Sequence, residues 1–185
     1  MLISYSMNPV IRHSIALVAC MVGTGAMAAA TEAAGSQSQC MTHAEAQALM
    51  ETALPGLLQG AKQQCSSVLD SDSYLLKQEA TLSKRFRQES ETDWPKAKAA
   101  FERLGGSAVA DMGDAGKRAA IETMVSDIVS QKMKPQSCEI VNGFLPFVAE
   151  QPANKIGDVS VSTFALIKKI GKVGRILPFD ICSGD

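Results

Sequence analysis

Cys40, Cys65, Cys138 and Cys182 stand far apart in the chain, downstream of an uncharged segment of the kind that directs export. An even number of dispersed cysteines in an exported chain predicts two disulfides. No C-x-x-C occurs, which excludes a thioredoxin-like redox centre and a paired zinc knuckle, and no C-x-x-C-H occurs to attach a c-type haem. Three pairings exist. If Cys40 and Cys65 bracket one continuous helix, 25 residues at about 1.5 Å each hold them roughly 37 Å apart, and a disulfide needs Cα atoms within about 7 Å. That pair meets only if the chain folds back at Pro55-Gly56. The expected bonds are therefore Cys40–Cys182 and Cys65–Cys138, with Cys40–Cys138 and Cys65–Cys182 as the open alternative.

The export reading rests on residues 1–28. Arg12 and His13 form a short basic region, no acid precedes Glu32, and Ile15 to Met27 carry no charge. Such a run suits a signal peptide and is too short to span a bilayer. Ala26-Met27-Ala28 and Ala28-Ala29-Ala30 both satisfy the A-x-A rule, and the first sets the cut after Ala28. Met7 is an alternative start, since MNPVIRH is a more usual opening than MLISYS. Leu17-Val18-Ala19-Cys20 resembles a bacterial lipobox, but only Ser14 to Ala19 would separate the basic residues from that cysteine. Cleavage near Ala28 is preferred on that length. It removes Arg12 and no acid, so the net charge goes from -1 to -2. The 157 residues that remain are enough to bury roughly 70% of their unfolded surface without a metal.

Residues 29–41 read as a small polar linker and 42–185 as one helical domain. Thr42-x-x-Glu45 is a capping box. Helical spacing then runs from Ala46 through Leu49, Ala53, Leu58, Ala61 and Cys65 to Leu69, with Pro55 expected to kink or restart the helix. Ser71 or Asp72 is placed to cap a second helix through about Gln88, with Leu75, Leu82 and Phe86 inward. Thr92-Asp93 begins a third, ended by Gly105-Gly106. A fourth starts at Asp114, and its Ile121, Met124, Val125, Ile128, Val129 and Met133 form the cleanest apolar stripe in the chain. Ser137 is placed to cap a fifth, carrying Cys138, Val141, Phe144, Leu145 and Val148 with Pro146 a bend, and Asn154 a sixth through Ile170. The β-branched Val159 to Thr163 favours a strand locally, but without a partner strand its backbone would go unsatisfied. The expected fold is all-α, an irregular bundle of five or six helices cross-linked by two disulfides.

Catalytic chemistry finds few residues. A net charge of -1 removes the bulk-charge argument for nucleic acid. After maturation His43 is the one histidine left for a nucleophile–base system. A soft-metal set of Cys40, Met41, His43 and Met50 would need Cys40 reduced. Asp70 and Asp72 begin like a calcium loop, but Leu75 and Thr81 stand where its glycine and bidentate glutamate belong. Gly116-Lys117-Arg118 lacks the phosphate-loop glycine, which is Asp111, and the Ser/Thr, which is Arg118. No cofactor is expected. The remaining acids, Glu89, Glu91, Asp93, Asp111 and Asp114, suit helix ends and loops.

Near the C-terminus Lys168, Lys169, Lys172 and Arg175 interleave with Ile167, Ile170, Val173 and Leu177. On a helix the cations gather on one side, where they would meet an anionic membrane surface, an acidic partner or solvent. Gly171 and Gly174 weaken that helix. The functional expectation is a non-catalytic binding or structural protein of the periplasm or envelope, with a carboxylate-based hydrolase as the alternative. Intact-mass measurement of the exported protein should give a chain beginning at about Ala29; a species beginning at lipidated Cys20 would make it a lipoprotein instead.

Overall fold

The computed structural model describes residues 40–170 and 180–182. The signal segment, the lipobox and most of the polar linker lie outside the described residues, as do Lys172 and Arg175.

Helix α1 (His43–Cys65) is the axis of the fold. Thr42 opens it with both halves of the capping box: its side chain accepts from the Glu45 N–H, and the Glu45 carboxylate accepts from the Thr42 N–H. Pro55 does not restart it. The helix runs through, because proline removes only the one bond its absent N–H would make to the Glu51 carbonyl, and burial of every residue from Glu51 to Gly56 holds the backbone in place.

Around α1 lie α2 (Tyr74–Glu89), α3 (Trp94–Gly105), α5 (Asp114–Lys132) and α7 (Ala153–Ile170), with α6 (Cys138–Ala149) packed mainly on α2. Two details depart from the sequence expectation. A four-residue α4 (Ser107–Ala110) follows Gly106, whose φ of 54° reverses the chain in a region open to glycine. A minimal parallel pair, β1 (Cys40–Met41) with β2 (Asp180–Ile181), closes the domain at its two ends. The segment Val159 to Thr163 is helical, within α7.

Two apolar cores form, one on each half of α1. Met41, Ala46, Leu49 and Ala53 pack with Trp94, Ala97, Phe101, Ile121 and Val161. Leu54, Leu58, Ala61 and Cys65 pack with Leu75, Leu82, Phe86, Cys138 and Leu145. The Cys65–Cys138 bond, Cα atoms 5.5 Å apart, lies inside the second core, and Cys40–Cys182, at 5.0 Å, adjoins the first next to Met41. Disulfides of this kind belong to an oxidising, extracytoplasmic compartment. Among the described residues no helix is long and apolar enough to cross a membrane.

The apolar stripe of α5 is divided: Ile121, Val125, Val129 and Met133 pack on the two cores, and Met124 and Ile128 do not. Ile121 is buried, but Met124 and Ile128 are 45% and 54% exposed, while Ser126 is buried. The reason is on α1. Gly56 and Gly60 let the α5 backbone come so close that a Cβ on Gly56 would strike the Glu122 carbonyl and one on Gly60 would stand 2.5 Å from the Ser126 carbonyl oxygen. The α5 backbone at Glu122 and Ser126 and the Val129 side chain lie directly against these glycines, so Val125, Val129 and Met133 reach the two cores while Met124 and Ile128 are turned away. Replacing Gly60→Ala should cost about 1–3 kcal/mol through overpacking. Gly143→Ala, on the exposed side of α6 with nothing within 4 Å of the added carbon, should instead stabilise by about 0.5–1 kcal/mol. Urea unfolding of the oxidised protein would measure both.

Candidate functional site

Polar side chains that the sequence offered for chemistry are mostly spent on joining helices. Cys40 is in a disulfide and so is not a thiolate ligand beside His43. His43 meets Asp158 of α7, Nε2 to Oδ1 3.0 Å. Glu91 accepts from Arg118, whose guanidinium also lies 4.0 Å over the Trp94 ring. Asp93 pairs with Lys96, and Asp114 takes both Lys98 and the Trp94 indole N–H. Lys117, from the glycine-rich segment, is buried and ion-paired with Glu102. Lys168 and Lys169 fall in the last turn of α7. Lys172 and Arg175 lie outside the described residues.

Two helix starts are capped from elsewhere in the fold. The Leu75 N–H at the start of α2 donates to Asn142 of α6, 3.0 Å. The Ala153 N–H at the start of α7 donates to Glu89 of α2, 2.7 Å. Asp72, Ser71 and Asn154, which the sequence put forward as caps, are not used in that way; α2 begins after Ser73 and α7 at Ala153.

Among the described residues Glu51 is the one acid taken fully inside, at 1% exposure. Burial pushes its pKa above the ordinary glutamate value, with the Gln47 amide opposing and Asp93 adding to the rise. A carboxyl so enclosed contacts protein, not substrate. Nothing in the local sequence marks it, because it falls among the apolar positions of α1 only when that helix is covered on every side.

Among the described residues the most exposed apolar face is on α6. Its buried side is Cys138, Leu145 and Ala149, with Val141 half-buried. Ile140, Phe144 and Phe147, spaced i, i+4 and i+7, are 72%, 63% and 67% exposed, and the two phenylalanine rings sit 6.3 Å apart, centroid to centroid. Sequence reading counted Phe144 with the helix's apolar side and passed over Ile140 and Phe147. The available signal was excess: apolar residues at 140, 141, 144, 145, 147 and 148 are more than one buried stripe accommodates. Together the three exposed side chains offer on the order of 400 Å² of apolar surface.

Glu45 has the opposite electrostatic character to Glu51. Two parallel hydrogen bonds from Arg103 on α3, 2.9 and 2.7 Å, with the Thr42 cap, hold its pKa down at about 2. A depressed carboxylate stabilises the fold fully above its ordinary pKa of 4.5 and loses that contribution as the pH falls towards about 2. Arg103→Met should therefore lower the unfolding midpoint at neutral pH, and its difference from the parent protein should shrink between about pH 4.5 and about pH 2.

Compared with known proteins, the chain matches no protein-family model, no curated protein and no solved structure.

Proposed function

We propose that this is a non-catalytic binding protein of the bacterial periplasm or envelope, delivered by a signal peptide cleaved near Ala28, and that the exposed face of α6 is its contact surface. The observation that carries this reading is the Ile140, Phe144 and Phe147 ridge, held rigidly on a helix that the Cys65–Cys138 bond fastens to α1. A helix that presents anchors at i, i+4 and i+7 is complementary to an apolar groove on a partner. Preorganisation by the disulfide lowers the ordering cost of such a contact. The exposed area is about half of the ~800 Å² that each side contributes to a standard interface. The contact is accordingly a transient one with a protein groove, not the seam of an obligate dimer.

The titratable side chains support a binding role over hydrolysis. Glu89, Glu91, Asp93 and Asp114 are engaged in ion pairs or helix caps, and Glu51 is enclosed.

The triple variant Ile140→Ser, Phe144→Ser, Phe147→Ser should keep its helical circular dichroism, since exposed positions change stability by only about 0.5 kcal/mol. A partner crosslinked to the oxidised protein in envelope extract should be lost with that variant. A crosslinked set unchanged by the variant overturns the reading. Sedimentation with anionic vesicles at low salt, abolished by reversing Lys168, Lys169 and Lys172 to Glu, would transfer the contact to the basic C-terminal segment and a membrane surface.

A further inference from the structure

Glu51 lies where α7 crosses α1. The crossing is made at Gly157, where a Cβ would stand 3.0 Å from both the Gln47 carbonyl oxygen and the Glu51 Cγ. Gln47 reaches both ways, its amide donating to Glu51 Oε1 at 3.0 Å and to the Asn154 carbonyl of α7 at 3.3 Å. Among the described residues Glu51 Oε2 is buried without a hydrogen-bond partner. The other fastenings of this half of α7 are also polar: the Ala153 N–H on Glu89, and His43 against Asp158. Apolar burial here is modest: Ala153 and Val161 are buried and Ile156 is half-buried against the second core.

An oxygen in that position is tolerable on a neutral carboxyl and costly on a carboxylate, whose charge burial penalises far more than a neutral polar group. The charges that act on Glu51 do not rescue it. Glu89 from α2 and Asp93 from the α2–α3 turn oppose ionisation, and Lys96 of α3, which favours it, is itself paired with Asp93. The charges on this half of α7 are Asp158, held by His43, and the exposed Lys155. The chain from Cys138 to Cys182, which contains α7, is covalently fastened at both ends.

We propose that α7 is a releasable strap seated on the neutral Glu51 carboxyl, and that loss of the Glu51 proton to solvent lifts the N-terminal half of α7 from α1 while the two disulfides retain the segment. The sign follows from linkage. Seating raises the pKa of Glu51 above its ordinary 4.5, so the seat is fully stable below that value and weakens as the pH rises through the seated pKa. Release uncovers α1 at Gln47 and Glu51 and leaves the α1–α5 contact at Gly56 and Gly60 untouched. This device is independent of the α6 ridge and stands or fails without it.

Hydrogen exchange on the intact, oxidised protein tests it, with protection corrected for the intrinsic rate, between about pH 5 and about pH 9. Protection of amides 153–161 should fall by about tenfold or more as the pH rises, the effect of one unit of pKa displacement, while that of α5 holds. Glu51→Gln, and Glu51→Met as a second neutral variant, should abolish the fall; His43→Gln should leave it in place. The proposal is overturned by wild-type α7 protection that does not change with pH. It is equally overturned by the same fall in both neutral variants, or by a fall shared equally by α5.

Discussion

One helix has to be covered on every side. From Glu51 to Gly56 no residue of α1 reaches solvent, and a helix without an exposed face at its middle needs neighbours all round. At 23 residues it spans roughly 35 Å, longer than one small core fills, so its two halves are covered separately. Trp94 and Phe101 serve the first half, and Leu75, Leu82 and Phe86 the second. The glycines at 56 and 60 bring α5 close enough that a single helix seals the middle. Each disulfide lies at one end of this axis, and the long loops they close restrict the unfolded chain.

Polar contacts then set how the outer helices meet the axis. Arg103 on Glu45 fixes α3 to the first turn of α1, and Asn142 and Glu89 supply caps to α2 and α7 from neighbouring helices. Each cap is worth only about 1 kcal/mol, but each is geometrically specific, so together they set register where apolar packing alone would allow slippage. Glu51 is the exception. Its carboxyl is enclosed by the same close crossing, at Gly157, that positions α7, and its second oxygen gains no partner there. The region that encloses an unsatisfied acid is held by few apolar side chains, Ala153, Ile156 and Val161.

Much of the local structure was legible in the chain. The Thr42–Glu45 box, Pro95 in the first turn of α3 and the Gly105-Gly106 stop are local chemistry, and the helices begin or end there. Alternation at Val159 to Thr163 misled in isolation, but an unpaired strand has nowhere to place its hydrogen bonds, and the segment is helical. Pro55 does not restart α1, since its cost is local while the burial that offsets it comes from the whole bundle.

The amino-acid sequence by itself determined the helical class, most helix boundaries and the presence of bridged cysteines, because capping, periodicity and cysteine number act over a few residues or by simple count. Tertiary structure alone decided which face of each helix is covered. The close approach that two glycines on α1 permit left Met124 and Ile128 of the α5 stripe exposed, while Ile121, Val125 and Val129 pack on the cores. On α6, residues equally apolar in sequence were divided into a buried side at Leu145 and an exposed ridge at Ile140, Phe144 and Phe147. Hydrophobicity states that a side chain gains from burial; it does not state whether a neighbour is near enough to bury it, and that depends on how closely distant backbones approach.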